Sequence, residues 1–253
     1  MHEVLDATAY FAAFFGAATA GLLLHHRLPS HHRHERSHEV LRAVTGMIAL
    51  IASVLLAFLV TSMQERFDKV DGDVQSYAAD LASLDATMRD YGADTVPARD
   101  LLRAYTDRAV KDLWPGNDQD PVLQDTEAGG LMRALSRAAL ELEPSDRRQR
   151  ILLPEIASEI RMVSTRRLLL AEQGVGGVPT PFLLLTGAWL TLCFAAFGFN
   201  APRNGFVVAV LFFSTASLAA AMFLIIDLGT PFGGYVQVSP APMLRALDAM
   251  RSG

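Results

Sequence analysis

Residues 44–63 read VTGMIALIASVLLAFLVTSM, a run without Lys, Arg, Asp or Glu. Three other runs of this kind occur, and the four segments are Thr8–Leu24, Val44–Met63, Phe182–Phe199 and Phe206–Ile226. Each has the roughly 17–25 mostly apolar residues that cross a hydrocarbon core about 30 Å thick. A charged side chain costs about 3 kcal/mol at the membrane centre, and none of the four runs contains one. The sequence therefore predicts a membrane protein with four transmembrane helices.

Charged residues are concentrated between the second and third runs. The whole chain is 51% hydrophobic and 19% charged, and residues 64–180 hold 15 Lys/Arg and 21 Asp/Glu. Because phosphate binding needs a basic surface, this acidic segment argues against a nucleic-acid partner. The single cysteine, Cys193, lies inside the third run, so an intrachain disulfide is impossible.

The four runs divide the chain into three parts. Residues 1–63 hold the first two transmembrane helices and a histidine-rich connecting loop, 64–180 form an extramembrane domain, and 181–253 hold the last two transmembrane helices and a short tail. We expect the first run to be retained and not cleaved as a signal peptide, because no positive residues precede it. No strand-like alternation of useful length occurs, so the predicted fold class is all-α.

The second run continues into the extramembrane domain as a heptad seam. Apolar residues recur three and four apart at Phe67, Val70, Val74, Tyr77, Leu81, Leu84, Met88 and Tyr91. Extended backwards, this phase passes through Met63, Val60, Leu56, Ser53, Ala49 and Gly46. We predict one helix from about Val44 to Tyr91. The seam could pack against its own domain, or it could mediate self-association around a symmetry axis, which its length favours because the neighbouring helices are short.

Turn and cap signals predict three further helices in the middle segment. Their expected bounds are Thr95–Trp114 with Pro97 in the first turn, Thr126–Leu142, and a helix capped by Ser145 and Asp146 that reaches Gln173.

The string His34-Glu35-Arg36-Ser37-His38 matches HExxH, which on a helix can supply two zinc ligands and a general base. Six of the fourteen residues 25–38 are histidine, so composition alone can produce this match. The string also lies at a membrane boundary, and no obvious third ligand follows it. We therefore predict no metal site, no cofactor and no catalytic residue, and a membrane zinc protease is the least favoured alternative.

The last third of the chain resembles the bacterial bestrophin-like DUF4239 family. The resemblance covers nearly the whole chain and rests on Pro179-Thr180-Pro181-Phe182, Ala201-Pro202-Arg203-Asn204 and Pro231-Phe232-Gly233-Gly234-Tyr235, with Trp114 among the earlier matches. The family's acidic pair before Pro-Phe corresponds to Asp227 and Gly229, so one carboxylate is missing here.

This resemblance implies an architecture and a function. Bestrophins are pentameric anion channels with two helices, a helical cytosolic segment and two more helices, and their second transmembrane helix lines the pore. The implied protein is a multi-pass channel of the bacterial inner (cytoplasmic) membrane whose partners are lipid, ions and copies of itself. Basic residues flank the runs on both sides, so the cytosolic placement of the middle domain follows the resemblance alone. The alternative is a non-conducting scaffold or a sensor of pH through the histidines, whose usual pKa is about 6.5.

Two groups of residues are candidates for the function. Continuing the seam phase into the membrane, we expect the pore to be lined by Ala49, Ser53, Leu56, Val60 and Met63. Such an apolar collar can close a pore by dewetting. The second group is Asp227, a possible ion-path residue, with Pro231, Phe232 and Gly233, which we expect to form the turn where the chain leaves the membrane.

Overall fold

The computed structural model describes residues 2–24, 35–114, 126–175, 180–202 and 204–252. Within these ranges the chain forms helices and no strand, which confirms the all-α prediction. The helices are α1 (His2–Leu24), α2 (Glu35–Tyr91), α3 (Val96–Leu113), α4 (Thr126–Leu140), α5 (Arg147–Val175), α6 (Thr180–Asn200), α7 (Gly205–Leu228) and α8 (Ala241–Ser252).

Four of the described helices, α1, α2, α6 and α7, are long and apolar enough to cross a membrane, as the sequence predicts. The chain separates into two compact units. The membrane unit comprises residues 1–65 and 177–229, and the extramembrane unit comprises 66–176 and 230–253. The predicted helix that continues from the second run into the extramembrane domain is observed, because α2 is uninterrupted from Glu35 to Tyr91. It ends at the predicted residue but begins before Val44, so residues 35–43, which were expected to belong to the connecting loop, are helical.

In the membrane unit, α1 and α6 approach each other closely enough for their backbones to touch. A Cβ atom added to Gly198 would lie 1.9 Å from the carbonyl oxygen of Ala18, and one added to Gly21 would lie 2.1 Å from that of Ala195. Small residues permit such contacts between helices in lipid. The hydrophobic core of the unit consists of Phe14, Ala18, Ala52, Leu59, Met63, Leu190, Phe194, Leu211, Met222 and Ile225. The buried polar residues of the unit are Thr45, Thr186, Thr215 and Asp227.

In the extramembrane unit, the α2 seam forms one side of the hydrophobic core. The seam residues from Val70 to Tyr91 are all buried, together with Leu102 and Tyr105 of α3 and Ile156 of α5. The seam therefore packs inside its own domain, which is one of the two arrangements that the sequence left open. The expectation that short neighbouring helices would leave it uncovered is wrong, because several of them together cover it.

The ends of the helices follow local sequence signals. Gly92 has a φ of 125°, a conformation that glycine adopts without steric cost, and it ends α2. The hydroxyl of Thr95 then donates to the carbonyl of Met88 over 2.6 Å. At the start of α5, a carboxylate oxygen of Asp146 accepts from the backbone N–H of Gln149 over 2.7 Å, which confirms the predicted cap.

The segment predicted as a short tail contains helix α8, which packs on α3 in the extramembrane unit. Its inward residues, Met243, Ala246, Leu247 and Met250, have helical spacing and are buried. The guanidinium of Arg103 also donates to the carbonyl of Met250, with N–O distances of 2.9 and 2.6 Å. The spacing is visible in the sequence, but only the presence of α3 shows that this face is covered.

Candidate functional site

Helix α2 has one buried side within the membrane unit. Thr45, Ala52, Leu59 and Met63 point inward, and the last three belong to the apolar interior. Of the five residues expected to line a pore, Met63 is thus only 5% exposed. Ala49, Leu56 and Val60 are half-buried, and Ser53 is exposed. The predicted face is therefore divided between the interior of the unit and its outer surface.

Heptad drift accounts for part of this division. A heptad pattern drifts by about 20° per heptad around a straight α-helix, which has 3.6 residues per turn. Over the three heptads from Phe67 back to Gly46, this drift accumulates to about 60°. The buried positions Thr45, Ala52 and Leu59 lie one residue before Gly46, Ser53 and Val60. At Gly46 the drift of about 60° is large enough to bring Thr45 closer to the seam direction, whereas at Ser53 and Val60 it is only about 40° and 20° and does not account for the burial of the preceding residue. The face that was predicted by extending the seam phase into the membrane therefore lies partly on the outer surface of the unit.

The outer surface of α2 in the membrane unit has two kinds of side chain. One side carries Ser53, Ala57 and Thr61, which are small or hydroxyl-bearing and exposed. We call these three residues with half-buried Ala49 the small-residue face. The Ser53 hydroxyl donates to the carbonyl of Ala49 over 2.7 Å. Farther around the helix the exposed residues are large and apolar: Met47, Ile51, Val54 and Phe58. Exposed Leu50 lies between these two groups, in line with Ala57 and Thr61.

Asp227 lies in the last turn of α7 and is fully buried, near the buried Ile225. A carboxyl group in such a position is costly to bury, and intramembrane acids are commonly functional. The following backbone keeps a tight turn, since the N–H of Gly229 donates to the carbonyl of Ile226 over 3.0 Å.

The Pro-Phe-Gly segment after α7 forms a turn in the extramembrane unit. The N–H groups of Gly233 and Gly234 donate to the carbonyl of Thr230 over 3.2 and 3.0 Å, respectively. Pro231 and Phe232 are buried and Gly233 is exposed. A Cβ atom on Gly233 would meet open space, so this glycine is not required by a close contact.

The extramembrane unit also contains buried ion pairs. Asp85 of α2 binds Arg99 of α3 through two hydrogen bonds of 2.8 and 3.2 Å, and Arg89 approaches the same carboxylate at 2.7 Å. The hydrogen bond to Asp85 raises the pKa of the Arg99 guanidinium. Asp85 is adjacent to the seam residue Leu84. A charged residue at the edge of an apolar seam is a sequence signal that predicts a buried partner of opposite charge.

A second polar group joins three helices of this unit. The hydroxyls of Tyr77 and Tyr105 share a hydrogen bond of 2.6 Å, and the Arg167 guanidinium lies 5.5 Å from the centre of the Tyr105 ring. Arg167 also contacts Asp112 at 3.0 Å, and Arg108 contacts the same carboxylate at 2.9 Å. Burial raises the pKa of the Tyr105 phenol. These groups fix α2, α3 and α5 to each other, and nothing in their spacing along the chain predicts that they meet.

His34 lies outside the described residues, as do the side chains of Glu35 and His38. Among the described residues, no three His, Cys, Asp or Glu side chains are grouped as metal ligands. The expectation that the HExxH string holds no zinc therefore stays a prediction.

Comparison with known proteins supports the resemblance seen in the sequence. A family model described as Bestrophin-like domain matches residues 12–243. A bacterial bestrophin homologue from Klebsiella pneumoniae, crystallised with a tryptophan-to-alanine mutation, is 13% identical with a TM-score of 0.69, and the match covers 98% of this chain and 97% of that one. A crystallised membrane protein with a proline-to-alanine mutation is 10% identical with a TM-score of 0.71, at the same coverage of 98% and 97%.

At these identities the structural matches show a common fold. No curated protein matches the chain in sequence. The bestrophin-like family model spans most of the chain and therefore shows the family. The narrower DUF4239 assignment stays a prediction. With four apolar helices and an extramembrane helical unit, the protein is a membrane protein that belongs to the bestrophin-like family.

Proposed function

We propose that this protein is an oligomeric ion channel in which α2 of each subunit contributes its small-residue face to the conduction path. The proposal rests on the large apolar side chains that fill most of the interior of the membrane unit. Side chains such as Phe14, Phe194 and Met222 fill that interior. Because ions need polar or hydrated surroundings, a path between copies is more favourable than one through a single subunit.

The small-residue face is the part of α2 best suited to border such a path. Ser53 and Thr61 carry hydroxyls, and Ala49 and Ala57 leave room for water. Half-buried Leu56 and Val60 lie at the edge of this face and form its apolar narrowing. Met63 is not part of the proposed path, because its side chain packs into the interior of its own subunit.

Assembly is supported by apolar side chains that one chain leaves exposed outside the membrane. On α5, Ile151 is 63% exposed and Leu168 is 69% exposed, and Met162 and Leu169 are also exposed. Ile151, Met162 and Leu169 lie within about 20° of one line along α5, and Leu168 lies beside it. Exposed apolar groups aligned in this way on an extramembrane helix are typical of a protein interface. A pentamer is the subunit number that the family likeness suggests.

An anion is the ion that we propose. Residues 44–63 contain no carboxylate that would repel an anion. Asp227 is fully buried, and we propose that it contributes to the stability of the α7 end and not to the path wall. The preference for anions otherwise rests on the likeness to bestrophins.

We propose a multi-pass topology in a bacterial inner membrane, with the middle domain and both termini in the cytosol. Four spans place these three parts on one side. A reporter fused after Gly253 tests this: alkaline phosphatase should be inactive there and green fluorescent protein should fluoresce. Active phosphatase would reverse the orientation.

The channel is tested by reconstituting the purified full-length protein into liposomes and measuring chloride flux and assembly mass. We expect flux from an oligomer. Ser53→Trp should reduce the flux at least tenfold by filling the small-residue face. Ile51→Trp is the matched control, since Ile51 is exposed on the large apolar side, about 160° around α2 from Ser53, and should tolerate a lipid-facing Trp.

The outcomes separate the alternatives. Equal flux from both variants would show that the conduction path does not pass Ser53. An intact oligomer without flux of any ion would reject the channel and favour a non-conducting scaffold.

A further inference from the structure

We propose that residues 230–252 form a strap that closes on α3 and opens as one cooperative unit while α2, α3 and α5 stay folded. We call these residues the C-terminal strap, and they comprise the turn from Thr230 to Val238 and helix α8. Trp114 and Arg103 are its positioning residues, one for each end of the strap. The strap lies wholly within the extramembrane unit, and its behaviour does not depend on the proposed channel function.

The first anchor holds the turn at the end of α3. Trp114 follows directly after α3, and its indole N–H donates to the carbonyl of Val238 over 2.8 Å. The indole ring also meets the ring of buried Phe232 edge to face, with ring centres 5.3 Å apart and an interplanar angle of 88°. The turn is itself closed, because the N–H of Val238 donates to the carbonyl of Pro231 over 2.9 Å. A directional hydrogen bond and a buried aromatic pair together fix the position and the orientation of the whole turn.

The second anchor holds the last turn of α8, and its arginine lies about 16 Å before Trp114 along α3. Nε and Nη2 of Arg103 both donate to the carbonyl of Met250, over 2.9 and 2.6 Å. The sulfur of buried Met250 also lies 4.0 Å from the hydroxyl oxygen of buried Thr106. A carbonyl in the last turn of a helix has no partner within the helix, so a cation there both satisfies it and interacts favourably with the helix dipole.

The link between the turn and α8 is too short for the two parts to move independently. Only Ser239 and Pro240 lie between Val238 and the start of α8. The N–H of Ala241 donates to the hydroxyl oxygen of Ser239 over 3.3 Å, and the N–H of Leu244 donates to the carbonyl of Pro240 over 3.0 Å. Both linking residues are thus bonded to the first turn of α8.

Helix α8 depends on its contact with α3 for its own stability. It has 12 residues, and an isolated helix of about this length is only marginally stable in water. Its apolar side is buried through Met243, Ala246, Leu247 and Met250. The core helices have separate ties, because Asp85 binds Arg99 at 2.8 Å and Asp112 binds Arg167 at 3.0 Å. Loss of either anchor therefore loosens the turn and α8 together and leaves α2, α3 and α5 joined.

Hydrogen exchange of the full-length wild type in nanodiscs tests whether the strap is one unit. We expect the slowest amides of residues 231–238 and of α8 to have opening constants that agree within about threefold. Amides of α2 around Leu81 should be protected at least about tenfold more strongly, because they open only when the whole unit unfolds. Unequal protection of the two parts of the strap, or protection equal to that of α2, would overturn the inference.

One variant at each anchor tests whether the two ends are coupled. Trp114→Phe keeps a ring against Phe232 and removes the indole donor, and loss of one neutral hydrogen bond should speed opening about fivefold. Arg103→Met keeps the aliphatic stem and removes the donors to Met250, which should speed opening at least about fivefold. For each variant we expect the same acceleration in residues 231–238 and in α8, an effect at the far end that a purely local contact would not produce. Arg137→Met is the matched control, since it removes an exposed arginine of α4 and should accelerate neither part.

The outcomes of the two variants decide between one strap and two separate contacts. If Trp114→Phe accelerated exchange only in residues 231–238 and Arg103→Met only in α8, the anchors would act independently and the inference would be wrong. An absence of any acceleration from both variants would refute it as well. If Trp114→Phe does not fold, Phe232→Leu removes the aromatic pair, keeps the indole hydrogen bond and should give the same coupled pattern.

Discussion

Two glycines show how differently the same residue type can matter in the membrane helices. Gly198 faces the backbone of Ala18 so closely that any side chain would collide with it. Gly16, also in a membrane helix, has open space around it, since a Cβ atom added there would have no neighbouring atom within 4 Å. Glycine is therefore required for helix contact at the first position and not at the second.

We expect Gly198→Ala to destabilise the membrane unit by about 1–3 kcal/mol, because the helices must separate to admit the methyl group. Gly16→Ala should be neutral or stabilising by up to about 1 kcal/mol through helix propensity. Thermal unfolding in detergent would compare the two variants. Equal stability would show that α1 and α6 can move apart without cost.

The ion pair of Asp85 and Arg99 is a second feature that depends on single residues. Asp85 is 2% exposed, so its removal leaves a guanidinium among buried groups. Asp85→Ala should lower the free energy of unfolding by about 3–5 kcal/mol. The double variant with Arg99→Met should recover part of this loss, because no unpaired charge is then buried.

Asp100→Ala provides the control, since the ion pair of Asp100 with Arg103 is largely exposed and should contribute less than about 1 kcal/mol. Chemical denaturation followed by circular dichroism gives these values. A mild effect of Asp85→Ala, similar to that of Asp100→Ala, would contradict the assigned role.

Helix α2 belongs to both units, with residues 35–65 in the membrane unit and 66–91 in the extramembrane unit. In the extramembrane unit its seam is covered by its own domain, so a substitution there tests folding and not assembly. We expect Leu81→Lys to unfold the extramembrane unit, because Leu81 is fully buried and a lysine ammonium there has no partner.

Ala79→Lys is the control on the same helix, two residues away and exposed. It should change the unfolding temperature little. If the Leu81→Lys variant formed no oligomers but kept the unfolding temperature of the wild type, the seam would be the subunit interface.

At the scale of the whole molecule, assembly depends on the surfaces that single chains leave uncovered. We expect Met162→Glu combined with Leu169→Glu to shift the particle mass towards the monomer, because two carboxylates in an apolar contact must lose their hydration. Leu244→Glu, on the exposed side of α8, should leave the mass unchanged. Multi-angle light scattering in detergent measures these masses. A full-size oligomer from the double variant would place the interface elsewhere.

The sequence alone determined the features that depend on local spacing. Four uncharged apolar runs predicted the four membrane helices, since hydrocarbon tolerates neither charges nor unpaired backbone groups. The end of α2 at Tyr91 and the cap of α5 at Asp146 were also predicted, because helix ends depend on neighbouring residues. The bestrophin-like family could also be inferred, since its motifs are short and continuous.

The tertiary structure decided which face of each helix is covered. Periodicity shows that α2 has an apolar side but not what lies against it. Heptad drift displaced the extrapolated face near Gly46, and Met63 was expected in a pore although it packs into the interior of its own unit. The meeting of Asp85 with Arg99, and of Trp114 with Phe232 and Val238, joins residues far apart in the chain. Such contacts arise when whole helices pack, and no local pattern encodes them.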